Sequence, residues 1–201
     1  MFNDGFVKKG DMKMRDITDL HVQREIKPKI EDLLPHYLDG ETFEAASDFA
    51  RYMQTNKMTL RWAGIHNAWK AAYKGKPILY IRLNCKYRNE DKYAKWVITP
   101  YLINLKKYED EITKEGLRDF VLNGFWRCQV FAYGVPCGNG CAPGTDKTIL
   151  GKELKNLCHG NFYSGRNWVW FYDPDEMAIN CIKKLLDLEK QARDEKVIEK
   201  K

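Results

Sequence analysis

No apolar run in this chain approaches the roughly 18 residues that a membrane-spanning helix needs, so no membrane role is expected. The first ten residues, Met1 to Gly10, lack the apolar stretch of a secretory signal, which points to a cytoplasmic protein. No internal repeat and no low-complexity linker interrupts the chain, which excludes solenoids and tethered multidomain arrangements. There is no phosphate loop. Gly144 and Gly151-Lys152 are too far apart, and Glu153 stands where Ser or Thr is required. Gly138-x-Gly140-x-x-x-Gly144 misses the dinucleotide fingerprint. Cysteines are present, but not as two Cys-x-x-Cys knuckles.

What remains suits one domain. Of the 201 residues, 44% are hydrophobic and 13% aromatic, enough core material that neither metal nor disulfide is needed for a viable fold. Residues 1–20 are polar and read as a loose N-terminal segment, 21–192 as a single domain, and 193–201 as a charged tail. The net charge of +6 is uneven. Residues 57–95 hold ten Lys or Arg against two acids, interleaved with Trp62, Trp69, Tyr73, Tyr80, Tyr87 and Tyr93. Such a segment attracts an anionic partner.

Periodicity predicts a helix over Ile26, Ile30, Leu33, Leu34, Tyr37 and Leu38, with Pro28 in its first turn and Pro35 ending or kinking it. A second helix runs from about Glu41 to Asn56, with the apolar stripe Phe43, Ala46, Phe49, Ala50 and Met53. The period then falls to two, giving strands at 60–65, 68–74, 78–83 and 94–99. A turn on Gly75-Lys76 sets Trp69 opposite Arg82 and Ala71 opposite Tyr80, and so places Trp69, Tyr80 and Arg82 on one face. A helix opening at Thr113 carries Leu117, Phe120 and Val121. Residues 129–133 form a strand, and residues 161–172 are aromatic and strand-like but broken by Gly165. Asp173-Pro174-Asp175-Glu176 starts the last helix, with Asp173 as N-cap. Strands that cluster instead of alternating with helices predict an α+β fold: an antiparallel sheet of about four to six strands with helices packed on one face.

The densest chemistry is a cysteine and glycine block, Cys128-x8-Cys137-Gly138-Asn139-Gly140-Cys141-Ala142-Pro143-Gly144, followed by Cys158-His159-Gly160. Thiolates from Cys128, Cys137, Cys141 and Cys158 would close a tetrahedral structural zinc site, with His159 able to replace Cys158. The same thiols could instead be small buried hydrophobes, or form a redox cluster near Lys147 and Lys152. Cys85 and Cys181 fall at core positions. The stretch from Cys141 to Cys158, CAPGTDKTILGKELKNLC, resembles a block found in a family of uncharacterised small bacterial proteins. Residues 50–59 and 69–76 are similar to their earlier portion, and 173–175 to the start of their last helix. The resemblance spans residues 30–190, and it implies a self-contained bacterial domain without an established activity. The hairpin around Lys74-Gly75-Lys76 is also similar to YdhG-like domains.

Three functional classes follow. In the first, Trp62, His66, Trp69, Tyr80 and Arg82 line a cleft with an apolar wall and a cationic end, suited to a small aromatic or anionic ligand. In the second, Cys128 or Cys137 is a nucleophile with His159 as base, although no third orienting group accompanies them. In the third, the basic aromatic segment 57–95 binds nucleic acid, with phosphates on Lys and Arg and bases on the rings. Binding or sensing by the first route, with the cysteine block as structural zinc or thiol site, is the leading expectation.

Overall fold

A computed structural model describes residues 16–86, 93–128, 143–165 and 167–198. Helix α1 (Leu20–Ile26) is opened by Asp19, whose carboxylate accepts hydrogen bonds from the His21 and Val22 N–H groups at 2.7 and 3.1 Å. It stops at Lys27, which takes a left-handed conformation (φ 48°) just before Pro28. The residue ahead of a proline is kept out of the right-handed helical region. The predicted single helix over 26–38 is therefore two helices. The second, α2 (Ile30–Tyr37), accommodates Pro35 within it and ends two residues later. Helix α3 (Gly40–Thr55) matches its expected boundaries and buries Ala46, Phe49, Ala50 and Met53.

Strands β1 (Met58–Trp62), β2 (Ala68–Tyr73), β3 (Lys76–Lys86) and β4 (Tyr93–Pro100) form an antiparallel meander. Two short helices follow, α4 (Glu109–Lys114) and α5 (Arg118–Asn123), where the periodicity predicted one. Gly116 separates them at φ 70°. Strands β5 (Thr145–Ile149) and β6 (Lys152–Leu157) make a separate hairpin that the periodicity did not predict. Its turn, Leu150-Gly151, has positive φ at both residues, the mark of a type I′ turn. The region expected as a long aromatic strand is a 3-10 helix (His159–Gly165) leading into a short edge strand, β7 (Phe171–Tyr172). The main sheet has the order β1-β2-β3-β4-β7, with every pairing antiparallel. The predicted strand at 129–133 lies outside the described residues.

The last helix, α6 (Glu176–Ile198), is capped by Asp175, whose Oδ1 accepts from the Ala178 N–H at 2.8 Å. Asp173, the expected cap, instead sits at φ 43° and accepts the Trp96 N–H, so it ties the helix entrance to β4. The helix continues through the expected tail. Asp194 accepts the Tyr73 hydroxyl at 2.9 Å and pairs with Lys74 at 2.8 Å. No helix among the described residues is long and apolar enough to cross a membrane.

One face of the sheet is the core. Trp96 meets Phe49 of α3 edge to face at 6.5 Å, and Trp69 donates its indole N–H to the Pro28 carbonyl at 2.9 Å. Helix α6 is locked on by Glu189, which is fully buried. Its carboxylate accepts from the Asn104 backbone and side chain, from the Tyr108 hydroxyl at 2.7 Å and from Arg193 Nε at 2.7 Å. Burial, reinforced by the Glu189 charge, holds the Tyr108 phenol well above its ordinary pKa and keeps it a donor.

The β2–β3 turn departs from expectation in a way that matters for the site. It closes on Lys74-Gly75 (φ 48° and 76°), one residue before the predicted Gly75-Lys76, and a bulge follows at Ala71/Ala72. Beyond the bulge Trp69 lies opposite Ile81, Lys70 opposite Tyr80 and Ala71 opposite Leu79. A one-residue slip sends each side chain to the other face, so Tyr80 and Arg82 lie on the face opposite Trp69.

Two variants test these anchors. Gly75→Ala places a side chain at positive φ, and it is expected to lower unfolding free energy by about 1–2 kcal/mol in urea denaturation, although the space around the position is open. Glu189→Ala leaves Arg193 buried without its partner, and a loss of about 3–5 kcal/mol is expected by the same assay.

Candidate aromatic and cationic ligand site

The sheet face turned away from α2 and α3 is built by alternation along β3. Tyr80 and Arg82 point to it, between the buried Leu79, Ile81 and Leu83 of the other face. Direct pairing adds Lys70 and Thr99 beside Tyr80, and Val97 and Tyr172 beside Arg82. The bridge Tyr101–Trp168 and the pair Ile98–Phe171 share one register, which puts Trp170 opposite Thr99. Trp168, Trp170 and Tyr172 thus follow one another on this face at every second residue of the edge segment.

The rings form a continuous wall. Trp126 stacks on Trp170 with centroids 3.9 Å apart and planes 15° from parallel. Trp168 is 6.0 Å from Trp170, stacks on Tyr80 at 6.3 Å, and lies against Tyr101 at 4.5 Å. Asn161, fully buried, holds the wall in place. Its side chain accepts the Trp126 N–H at 3.1 Å and donates to the Trp126 carbonyl at 2.7 Å, while its own carbonyl accepts the Trp168 N–H. The Trp170 N–H bonds the Gly124 carbonyl at 2.8 Å. Gly124 has to be glycine, because a Cβ there would lie 2.1 Å from a Val169 methyl.

Together with Arg82, Cys85, Lys86 and Gly160, Trp126, Trp168, Trp170 and Tyr172 line an open cleft of about 440 Å³, a size that suits a small molecule. The Arg82 guanidinium lies 5.8 Å from the Trp170 ring centre. Its Nε and the Trp170 Nε1 are both buried without an acceptor among the described residues. No carboxylate among them pairs with Arg82, whereas Lys74, Lys95, Lys155, Lys183, Lys184, Lys190 and Arg193 all have one. A half-buried cation with no counter-charge is costly, and an anion entering the cleft relieves that cost. A larger hollow of about 610 Å³ lies between α3 and α6. It has no aromatic platform, and its Asp48, Arg51 and Lys183 already satisfy one another.

Of the five residues predicted to line a ligand cleft, the structure brings Tyr80 and Arg82 together at this face, with Arg82 in the cleft wall. Trp69 is fully buried on the helix side, and Trp62 pairs with it there. His66 is exposed in the β1–β2 loop, with Nε2 2.8 Å from the Thr18 carbonyl. The residues missed are Trp126, Trp168, Trp170 and Tyr172. Trp168-x-Trp170-x-Tyr172 at period two was the legible signal of an aromatic strand face; Trp126 carried none.

Of the proposed metal ligands, Cys128 and Cys158 sit on adjacent backbones. Cys128 N–H bonds the Asn156 carbonyl at 2.6 Å and Cys158 N–H the Trp126 carbonyl at 2.9 Å. Both thiols are buried and free. Cys137 and Cys141 lie outside the described residues, among which no three His, Cys, Asp or Glu side chains converge on a metal position. His159 is exposed, with Nε2 2.8 Å from the Pro143 carbonyl. Cys181 packs against the core, and Cys85 is half-buried at the cleft. Comparison with family models, curated proteins and solved structures gives no match to this chain.

Stacked indoles couple their transitions, so the Trp126–Trp170 pair is expected to give an exciton couplet in circular dichroism. Trp126→Phe and Trp170→Phe should each abolish the same couplet. Gly124→Ala should weaken it and cost about 1–3 kcal/mol of stability through overpacking.

Proposed function

We propose that this protein binds or senses a small planar aromatic molecule that carries an anionic group. The observation that carries this reading is Arg82: a guanidinium with no carboxylate partner among the described residues, 5.8 Å from the ring centre of Trp170 in a wall of stacked indoles, with its Nε–H and the Trp170 indole N–H both lacking an acceptor among those residues. A flat ring would slide against the indole wall, where stacking on an aromatic side chain contributes about 1–3 kcal/mol. Its carboxylate or phosphate would meet Arg82, and a charge-assisted hydrogen bond of that kind adds about 1.5–3 kcal/mol. The rigid sheet beneath and the Asn161 pins make the platform pre-formed, which reduces the ordering cost of binding.

The test is a fluorescence titration with planar aromatic acids, 2-naphthoate and indole-3-carboxylate among them, each set against its neutral amide. Acids are expected to quench tryptophan emission saturably and to bind at least tenfold more tightly than the amides. Trp170→Ala and Arg82→Gln should each weaken acid binding by about 10- to 100-fold, and Arg82→Gln should erase the difference between acid and amide. Equal binding of acid and amide by the unmodified protein, or no saturable quenching by any member, would overturn the reading.

A further inference from the structure

The open sheet face continues past the cleft. Arg61 on β1 pairs directly with Lys70 on β2, and Lys70 pairs directly with Tyr80 on β3. Arg61, Lys70 and Tyr80 therefore form one row across the face, in register with Thr99 and the aromatic edge, and Arg82 stands one step along β3. Adjacent strands are about 4.8 Å apart, so the row carries positive charge about 10 Å from the β3 end of the cleft to the β1 edge. Among the described residues neither Arg61 nor Lys70 has a carboxylate partner. None of the residues that pairing places in this row or in the row of Arg82 is Asp or Glu.

We infer that the ligand of the aromatic cleft is a nucleotide whose chain of phosphates runs from Arg82 across Lys70 to Arg61, with its base against the Trp170 wall. The inference rests on the cleft reading above. It adds that the anionic part is extended and multiply charged, which a single carboxylate does not require. A base is planar and sequence-tolerant in stacking, and consecutive phosphates match a line of cations better than one point charge does. Free nucleoside polyphosphates and the phosphodiester chain of a single strand share this chemistry.

The experiment compares nucleoside, monophosphate and triphosphate of each of the four ribonucleotides, and a tetranucleotide, by tryptophan quenching at fixed ionic strength without divalent metal. For at least one base, affinity is expected to rise tenfold or more from monophosphate to triphosphate. Arg61→Gln/Lys70→Gln should remove that gain while leaving 2-naphthoate binding unchanged. The unmodified protein gives a second readout that needs no variant: the triphosphate should lose affinity with added salt more steeply than the monophosphate. A tetranucleotide that binds more tightly than any triphosphate, with the gain lost in the same double variant, identifies a single strand as the source; the reverse order identifies free nucleotide. Equal affinity for mono- and triphosphate, or a double variant that keeps the full triphosphate gain, overturns the inference. If naphthoate still binds through Trp170 in that case, the cleft reading stands alone; if naphthoate also fails, both fall.

Discussion

Lys74 and Gly75 both hold positive φ, and a two-residue turn of that hand closes β2 on β3 with Tyr73 opposite Lys76. Together with the bulge at Ala71/Ala72, that closure decides which residues of β3 face the helices. Leu79, Ile81 and Leu83 go to the core, and Tyr80 and Arg82 go to the open face. β4 is paired to β3, and β7 to β4, so the choice passes across the sheet. It puts Trp96 under α3 and Val97 beside Tyr172. Every later feature of the molecule inherits this division, because a strand's side chains alternate strictly between faces.

Several buried polar groups on the helix side are tied into networks. Glu189 has four donors around it, and Gln23 and Asn67 exchange hydrogen bonds between α1 and the β1–β2 loop while Asn67 also donates to Tyr37. Such networks fix one arrangement, since any partly satisfied alternative leaves a buried group without a partner. On the open side, Arg82 Nε and Trp170 Nε1 have no acceptor among the described residues, within a framework whose backbone bonds are well made. Buried donors without an acceptor among the described residues also occur at Trp62 Nε1, Trp96 Nε1 and Arg193 Nη2; what sets Arg82 and Trp170 apart is that both line one open cleft.

The amphipathic period of α3, the strand cluster after Thr59 and the α+β class were legible because each depends on local pattern. The start of α6 was legible to within two residues. There Pro174 and Glu176 fit either Asp as cap, and only the bond from Asp173 to the Trp96 N–H decides between them. The site was legible in part. The pattern placed Tyr80 and Arg82 on one face, as the structure does, but it grouped Trp69 with them because Lys74-Gly75 and Gly75-Lys76 are both plausible turns by composition, and their registers differ by one. No local signal chooses between them, whereas burial of Leu79, Ile81 and Leu83 against the helices does. Trp126 lies far from Trp170 in sequence, and Asn161 and Gly124 bring the two together. Those contacts are tertiary, so spacing alone does not announce them.

Charge on an edge strand has a second use, which bears on how the cationic row is understood. An exposed strand edge invites pairing with another chain, and lysine or arginine there discourages it. Arg61 lies on β1, an edge of the sheet, and edge protection accounts for it by itself. Lys70 does not fit that account, because β2 is paired on both sides and has no edge to protect. Arg82 fits it still less, being half-buried on the central strand under an indole. The opposite edge is handled without charge: β7 is two residues long, and Phe171 stacks on Phe120 of α5 at 4.3 Å. Of the row's two cations and the neighbouring Arg82, two therefore have no role in edge protection, and both stand next to the aromatic wall. Edge protection does not account for their position beside the aromatic wall.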